Sequence, residues 1–202
     1  MAGYSKRSKM LPVVLVLVII VVAIAAIVSL SKAIFWNSGT TTVGQSSDEG
    51  RTALLETSSE HKVVMIVRGP IVADENFYSY KVEISPSARS LTTYKGYLDQ
   101  VVGTTSLDNN VASYKQFVYA LDKADLMSGT QLTGDADNTD GVCATGDLYD
   151  YKAVEGNNVV KHLWTTTCSG SKGSLSANRQ QVTSLFLQQI PSYNNLLSNI
   201  SL

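Results

Sequence analysis

Residues 10–30 form twenty-one positions without a charge, fifteen of them Val, Ile or Leu. Nothing else in the chain restricts its architecture as strongly. As a helix rising about 1.5 Å per residue the run covers roughly 31 Å, close to the hydrocarbon thickness of a bilayer. At about −0.4 kcal/mol per branched or aliphatic side chain, insertion is favoured by on the order of −6 kcal/mol. Lys6, Arg7 and Lys9 precede the run and only Lys32 follows it closely. The positive-inside rule therefore predicts a cytoplasmic head at 1–9 and export of all that follows the span. Pro12 falls in the first turn, where its missing N–H costs little, and Phe35 with Trp36 supplies aromatic anchoring, so residues 10–36 are expected to contact the lipid bilayer. Ala23-Ile24-Ala25 resembles a signal-peptide cleavage site, but the chain stays apolar to Leu30, which favours a retained anchor. No cysteine precedes Cys143, so lipid attachment near the span is not expected.

The exported remainder, about 165 residues, is ample for one domain and short for two. It holds twelve Lys and Arg against seventeen acids, a formal charge of −5. That balance argues against nucleic acid as a partner. Its first part is Gly, Ser and Thr rich (NSGTTTVGQSSDEG from Asn37 to Gly50) and reads as a flexible spacer, taken here as 37–60 with a short helix near Ala53-Leu54-Leu55 left open. The domain proper is then expected over 61–202.

From His61 the patterning is that of strands. Val63-Val64-Met65-Ile66-Val67 is a compact apolar run closed by Gly69-Pro70. Tyr80, Val82 and Ile84 alternate with Ser79, Lys81 and Glu83, which predicts one buried and one wet face, and residues 90–97 return to complete a hairpin. Asp108 is expected to cap a helix whose Val111, Tyr114, Phe117, Val118, Leu121 and Ala124 recur at three- and four-residue steps. A second hairpin is predicted over 147–155 and 159–168 around Gly156-Asn157-Asn158. The last helical pattern, 178–190, is interrupted by Pro191 and resumes at Tyr193. Each hairpin start precedes its helix start by 31 residues (78 to 109, 147 to 178), which suggests a ββα-ββα arrangement. The expected fold class is α+β, antiparallel hairpins packed with helices behind an N-terminal transmembrane helix.

Two clusters carry chemistry. Asp135, Asp137 and Asp140, with Asn138, Thr139 and Gly141, place hard oxygen donors in a short loop, the composition calcium requires. The spacing departs from an EF-hand, since the third acid and the glycine arrive one residue late and position twelve is Gly146. No other cofactor is expected. Cys143 and Cys168 flank the second hairpin; if Glu155 faces Val159, the two cysteines come nearly opposite each other at its open end. An even count in an exported chain then predicts a disulfide closing about 25 residues and contributing about 3 kcal/mol.

Catalytic patterns are incomplete. His61 and His162 are the only histidines, too few for a histidine metal site, and His162 in an alternating strand is expected to be structural. Ser169-Gly170-Ser171-Lys172 and Ser176-Ala177-Asn178 follow the order of penicillin-recognising serine enzymes, but they sit in a Gly/Ser loop without the K-T-G strand. Asn199-Ile200-Ser201 matches a glycosylation acceptor.

The segments YSYKVEISPSARSLTTYKGY and LWTTTC, in a chain of basic head, single span, polar spacer and small α+β domain, resemble uncharacterised single-pass membrane-anchored exported proteins of bacteria. The resemblance spans residues 63–193. It implies a cell-envelope location and no particular site residue. Type IV pilins share the apolar helix, the α+β head and often a disulfide loop, but here Tyr4-Ser5-Lys6-Arg7-Ser8 follows Gly3 where a pilin turns apolar with a glutamate at its fifth position. The functional expectation is a non-catalytic, membrane-tethered extracytoplasmic binding module with an envelope or surface protein as partner. A pilin-like filament subunit ranks second and a cell-wall-acting enzyme third.

Overall fold

The strand at the centre of the molecule is β1 (His61–Arg68), whose Val63, Met65 and Val67 are at most 1% exposed. The computed structural model describes residues 45–171 and 173–202. The apolar run at 10–30 and the head before it lie outside the described residues, and among the described ones no helix is long and apolar enough to cross a membrane. β1 is flanked by β2 (Tyr78–Ile84) on one side and β5 (Leu148–Glu155) on the other, both antiparallel, so that Met65 stands opposite Val82 and Tyr151. β3 (Ala88–Lys95) and β4 (Gln100–Asp108) extend the sheet beyond β2, and β6 (Asn158–Thr166) closes the far side. The order is β4-β3-β2-β1-β5-β6, antiparallel throughout.

The fold is therefore α+β, with helices layered on one face of a single six-stranded sheet. α1 (Gln45–Leu55) inserts Leu54, α2 (Val111–Lys123) inserts Tyr114, Phe117, Val118 and Leu121, and α3 (Arg179–Leu187) inserts Val182 and Phe186. Phe117 and Phe186 meet edge to face with centroids 5.3 Å apart. α4 (Tyr193–Leu197) follows Pro191, and the break is completed by Ser192 in a left-handed conformation. The proline thus gives two short helices.

Three expectations need correction. The spacer assigned to 37–60 contains α1, held to α2 by a two-pronged Arg51–Asp122 pair at 2.6 and 3.0 Å and to the core by fully buried Leu54. Its first turn is polar enough to read as linker, and tertiary docking makes it a helix. The ββα-ββα arrangement does not hold in that form, because β4 makes the first unit a three-stranded meander. Asp108 does not cap α2: it ends β4, and the cap is Asn110, whose side chain accepts from Ser113 N at 2.9 Å.

The β5–β6 hairpin turns through Gly156 and Asn157, so Glu155 faces Asn158 and not Val159, and a bulge beside Val154 shifts the register by one. That shift carries Leu148 opposite Thr166, and just past the strand ends Cys143 and Cys168 are joined with Cα atoms 5.6 Å apart. The disulfide expected from the sequence is present. Replacing Asn110 by Ala should lower stability by about 1 kcal/mol through the lost cap, whereas Asp108→Ala should stay within about 0.5 kcal/mol, both read from urea midpoints.

Candidate functional site

Period-two alternation sends the other side chains of the sheet to the face that carries no helix. There Lys62 and Lys81 both reach Glu83, at 3.2 and 3.5 Å, and Thr92 hydrogen-bonds Thr104 across strands. At one end of this face the sheet carries a cleft of about 270 Å³ between two loops. One wall is the stacked pair Phe77 and Tyr97, ring centroids 4.2 Å apart and 16° from parallel. The opposite wall is the acidic loop from Thr139 to Cys143, and Leu148 lies on the floor. A second depression continues over Ser79, Lys81, Tyr94 and Asp99, sharing Arg68, Phe77, Tyr97 and Asp140 with the cleft.

Both walls are tied down. Tyr97 donates its hydroxyl to Val72 O (2.7 Å) and accepts from Val72 N (3.2 Å), while its own N–H donates to Asp74 Oδ1 at 2.8 Å. Gly96, with φ +75°, lets that carboxylate approach, since a Cβ there would stand 3.0 Å from both Asp74 oxygens. Across the gap, Ile71 N donates to Ala144 O at 2.9 Å, and Arg68 pairs with Asp140 at 3.7 Å. The Cys143–Cys168 bond holds the acidic loop to the end of β6.

The three acids expected to share a calcium ion are dispersed. Among the described residues no group of three His, Cys, Asp or Glu side chains is arranged to hold a metal. Asp135 and Asp137 belong to the 3-10 turn Gly134–Asp137, where Asp137 turns inward to His162 and Asp140 outward to Arg68.

His162 bridges two carboxylates, Nδ1 to Asp137 Oδ2 at 2.9 Å and Nε2 to Asp150 Oδ2 at 3.0 Å, and its backbone N–H donates to Gln131 Oε1 at 2.6 Å. With both ring nitrogens occupied it cannot take a proton from a substrate without breaking this bridge, so its place is to pin the acidic loop onto the sheet. Burial alone would depress its pKa, but the bonds to Asp150 and then Asp137 outweigh that and hold it above 6.5. Burial likewise opposes ionisation of Asp150, 1% exposed, yet His162 and Lys152, at 3.3 Å, hold its pKa below 3.8. Of the serine-enzyme pattern, Lys172 lies outside the described residues, and Ser171 uses its carbonyl to accept from the Thr166 hydroxyl at 2.6 Å.

Sequence reading missed Arg68, Phe77, Tyr97 and Asp150. A partial signal existed for the aromatic pair: Tyr78 faces Lys95 in the hairpin, which leaves Phe77 and Tyr97 both just past its open end. No protein-family model matches the chain, and no curated protein matches its sequence.

The His162 bridge sets the pH response. A histidine pKa raised on folding stabilises fully below 6.5 and loses that contribution as pH climbs through the raised value. A depressed aspartate pKa stabilises above 3.8 and fades as pH falls through the lowered value. Unfolding free energy should therefore decline above neutrality in the native protein. His162→Gln should flatten that limb and cost on the order of 3 kcal/mol at mildly acidic pH, measured by denaturant titration.

Proposed function

We propose that this chain is a membrane-tethered extracytoplasmic binding module of a cell envelope, anchored through residues 10–30, that takes a partner at the Phe77/Tyr97 cleft and performs no catalysis. The observation that carries this reading is the preformed character of the cleft, in which an aromatic stack and a carboxylate on two fastened loops stand beside the guanidinium at the end of β1. Sites of this kind, apolar with a few convergent polar groups, are the usual form of a recognition surface. Arg68 and Asp140 face each other across its mouth, so the occupant would present both an acceptor for the guanidinium and a donor for the carboxylate, with a flat apolar part for Tyr97. A protein loop carrying both kinds of polar group meets that description and agrees with an envelope protein as partner.

The anchor and the cleft are tested separately. Alkaline carbonate should leave the full-length chain in the membrane pellet, and release into the supernatant would remove the tether. A photo-crosslinking residue at exposed Ile71 should trap a discrete adduct on intact cells expressing the chain, with none from position 115 on the exposed side of α2. Tyr97→Ala or Arg68→Ala should weaken capture about tenfold. Equal adducts from both positions would sink the cleft as the binding surface.

A further inference from the structure

The two edges of the sheet are treated differently. Along β6 the segment after the disulfide folds back against the strand: Ser174 N and Leu175 N both donate to Trp164 O, at 2.9 and 3.0 Å, and Trp164 N donates to Ser174 Oγ at 3.0 Å. Gly173 permits this approach, because a Cβ there would collide with the Trp164 carbonyl. β4 has no such cover among the described residues. Asn109 N donates to Ser87 O in line with the β3–β4 register, so Leu107, Thr105 and Gly103 turn their amides toward β3. Thr104, Ser106 and Asp108 consequently point N–H and C=O outward.

Nor does β4 carry the usual protection of an edge. Gln100–Asp108 contains no proline and no lysine or arginine, and its bulge at Val102 leaves the stretch from Gly103 to Asp108 regular. We propose that β4 pairs antiparallel with β4 of a second copy of this chain, about a two-fold axis through Thr105, joining two sheets into one of twelve strands.

The strand is complementary to itself in that register. Thr104 of each copy faces Ser106 of the other, both with outward amides, giving four backbone hydrogen bonds about the axis. Asp108 comes opposite Val102, so no two carboxylates meet. On the helix-covered side Leu107 lands over Gly103 of the second copy, beside Leu196, whose Cδ2 would be 2.9 Å from a Cβ at that glycine. The apolar layer thus continues across the junction. A single strand edge buries less than the roughly 1,200 Å² of a standard interface, so covalent trapping suits it better than chromatography.

Thr105 residues about the axis form a non-hydrogen-bonded pair with Cα atoms about 4.5 Å apart, within disulfide reach. Thr105→Cys in the full-length, detergent-solubilised chain should yield a homodimer on a non-reducing gel under mild oxidation. The band should vanish on reduction, be absent from Lys115→Cys on the exposed side of α2, and be lost when Ser106→Pro is added. No dimer from Thr105→Cys, equal yields from both cysteine positions, or an adduct of any other mass would overturn self-pairing. None of these results depends on the Phe77/Tyr97 cleft, whose failure would show in capture of a partner and not in this band.

Discussion

Burial of one face of β1 governs the molecule. Val63, Met65 and Val67 are sealed beneath helices, and both neighbouring strands must match their parity, because a slip of one residue would bring charged side chains such as Lys81, Glu83, Asp150 and Lys152 to the helix side. β2 is adjacent in the chain, but β5 begins eighty positions after β1 ends. The polar face follows from the same parity. Once Met65 points to the helices, Ile66 and Arg68 point away with Lys81 and Ser79 opposite them, and the cleft forms where that face ends against the loops.

Hydrophobic burial does not place the acidic loop, because from Gly134 to Asp140 only Thr139 is buried. Three other devices hold it: the disulfide, the Ile71–Ala144 backbone bond and the His162 bridge. The bridge puts a cation between two carboxylates on a half-covered sheet face, where each charge would be costly alone. Tyr80 and Tyr151 show the alternative on the buried face. Burial drives their hydroxyl pKa values upward, so they remain neutral, and Tyr151 satisfies its hydroxyl on Thr183 at 2.9 Å.

Legibility in the sequence tracked how one-sided each element is. β2 and the helix face from Tyr114 to Leu121 turn their large apolar residues to one side, and their periodicity was readable, while β1 showed as an apolar run because Val64 is buried along with Val63 and Met65. β4 was not, because an edge strand exposed at Gln100, Val101 and Val102 and half-buried only at alternate positions thereafter has almost no apolar alternation to detect. α1 escaped for a related reason: it contributes one fully buried residue, Leu54, and its docking depends on Asp122, seventy-one positions away. The disulfide could be found because hairpin register is arithmetic, although the turn sat one residue from the expected place and the bulge restored the count. The directions taken by the acidic loop's carboxylates are information that composition does not hold. Asp137 and Asp140 are three residues apart yet point to opposite sides, one toward β6 and the other toward β1.

The cleft inherits its rigidity from these long-range ties. Tyr97 is fixed through Asp74 and Val72, both on the β1–β2 connection, while the facing loop is fixed through Cys168 and His162 at the other side of the sheet. Each wall belongs to a different pair of strands, and only β1, through Arg68 and the segment that follows it, touches both. Ordering entropy that a flexible site loses on binding is here largely lost on folding, which favours affinity for a partner whose shape already fits. The same construction makes the cleft sensitive to events outside it. Deprotonating His162 above its raised pKa releases the acidic loop at one point only, since the disulfide remains, so the expected consequence is a looser wall and not an opened molecule.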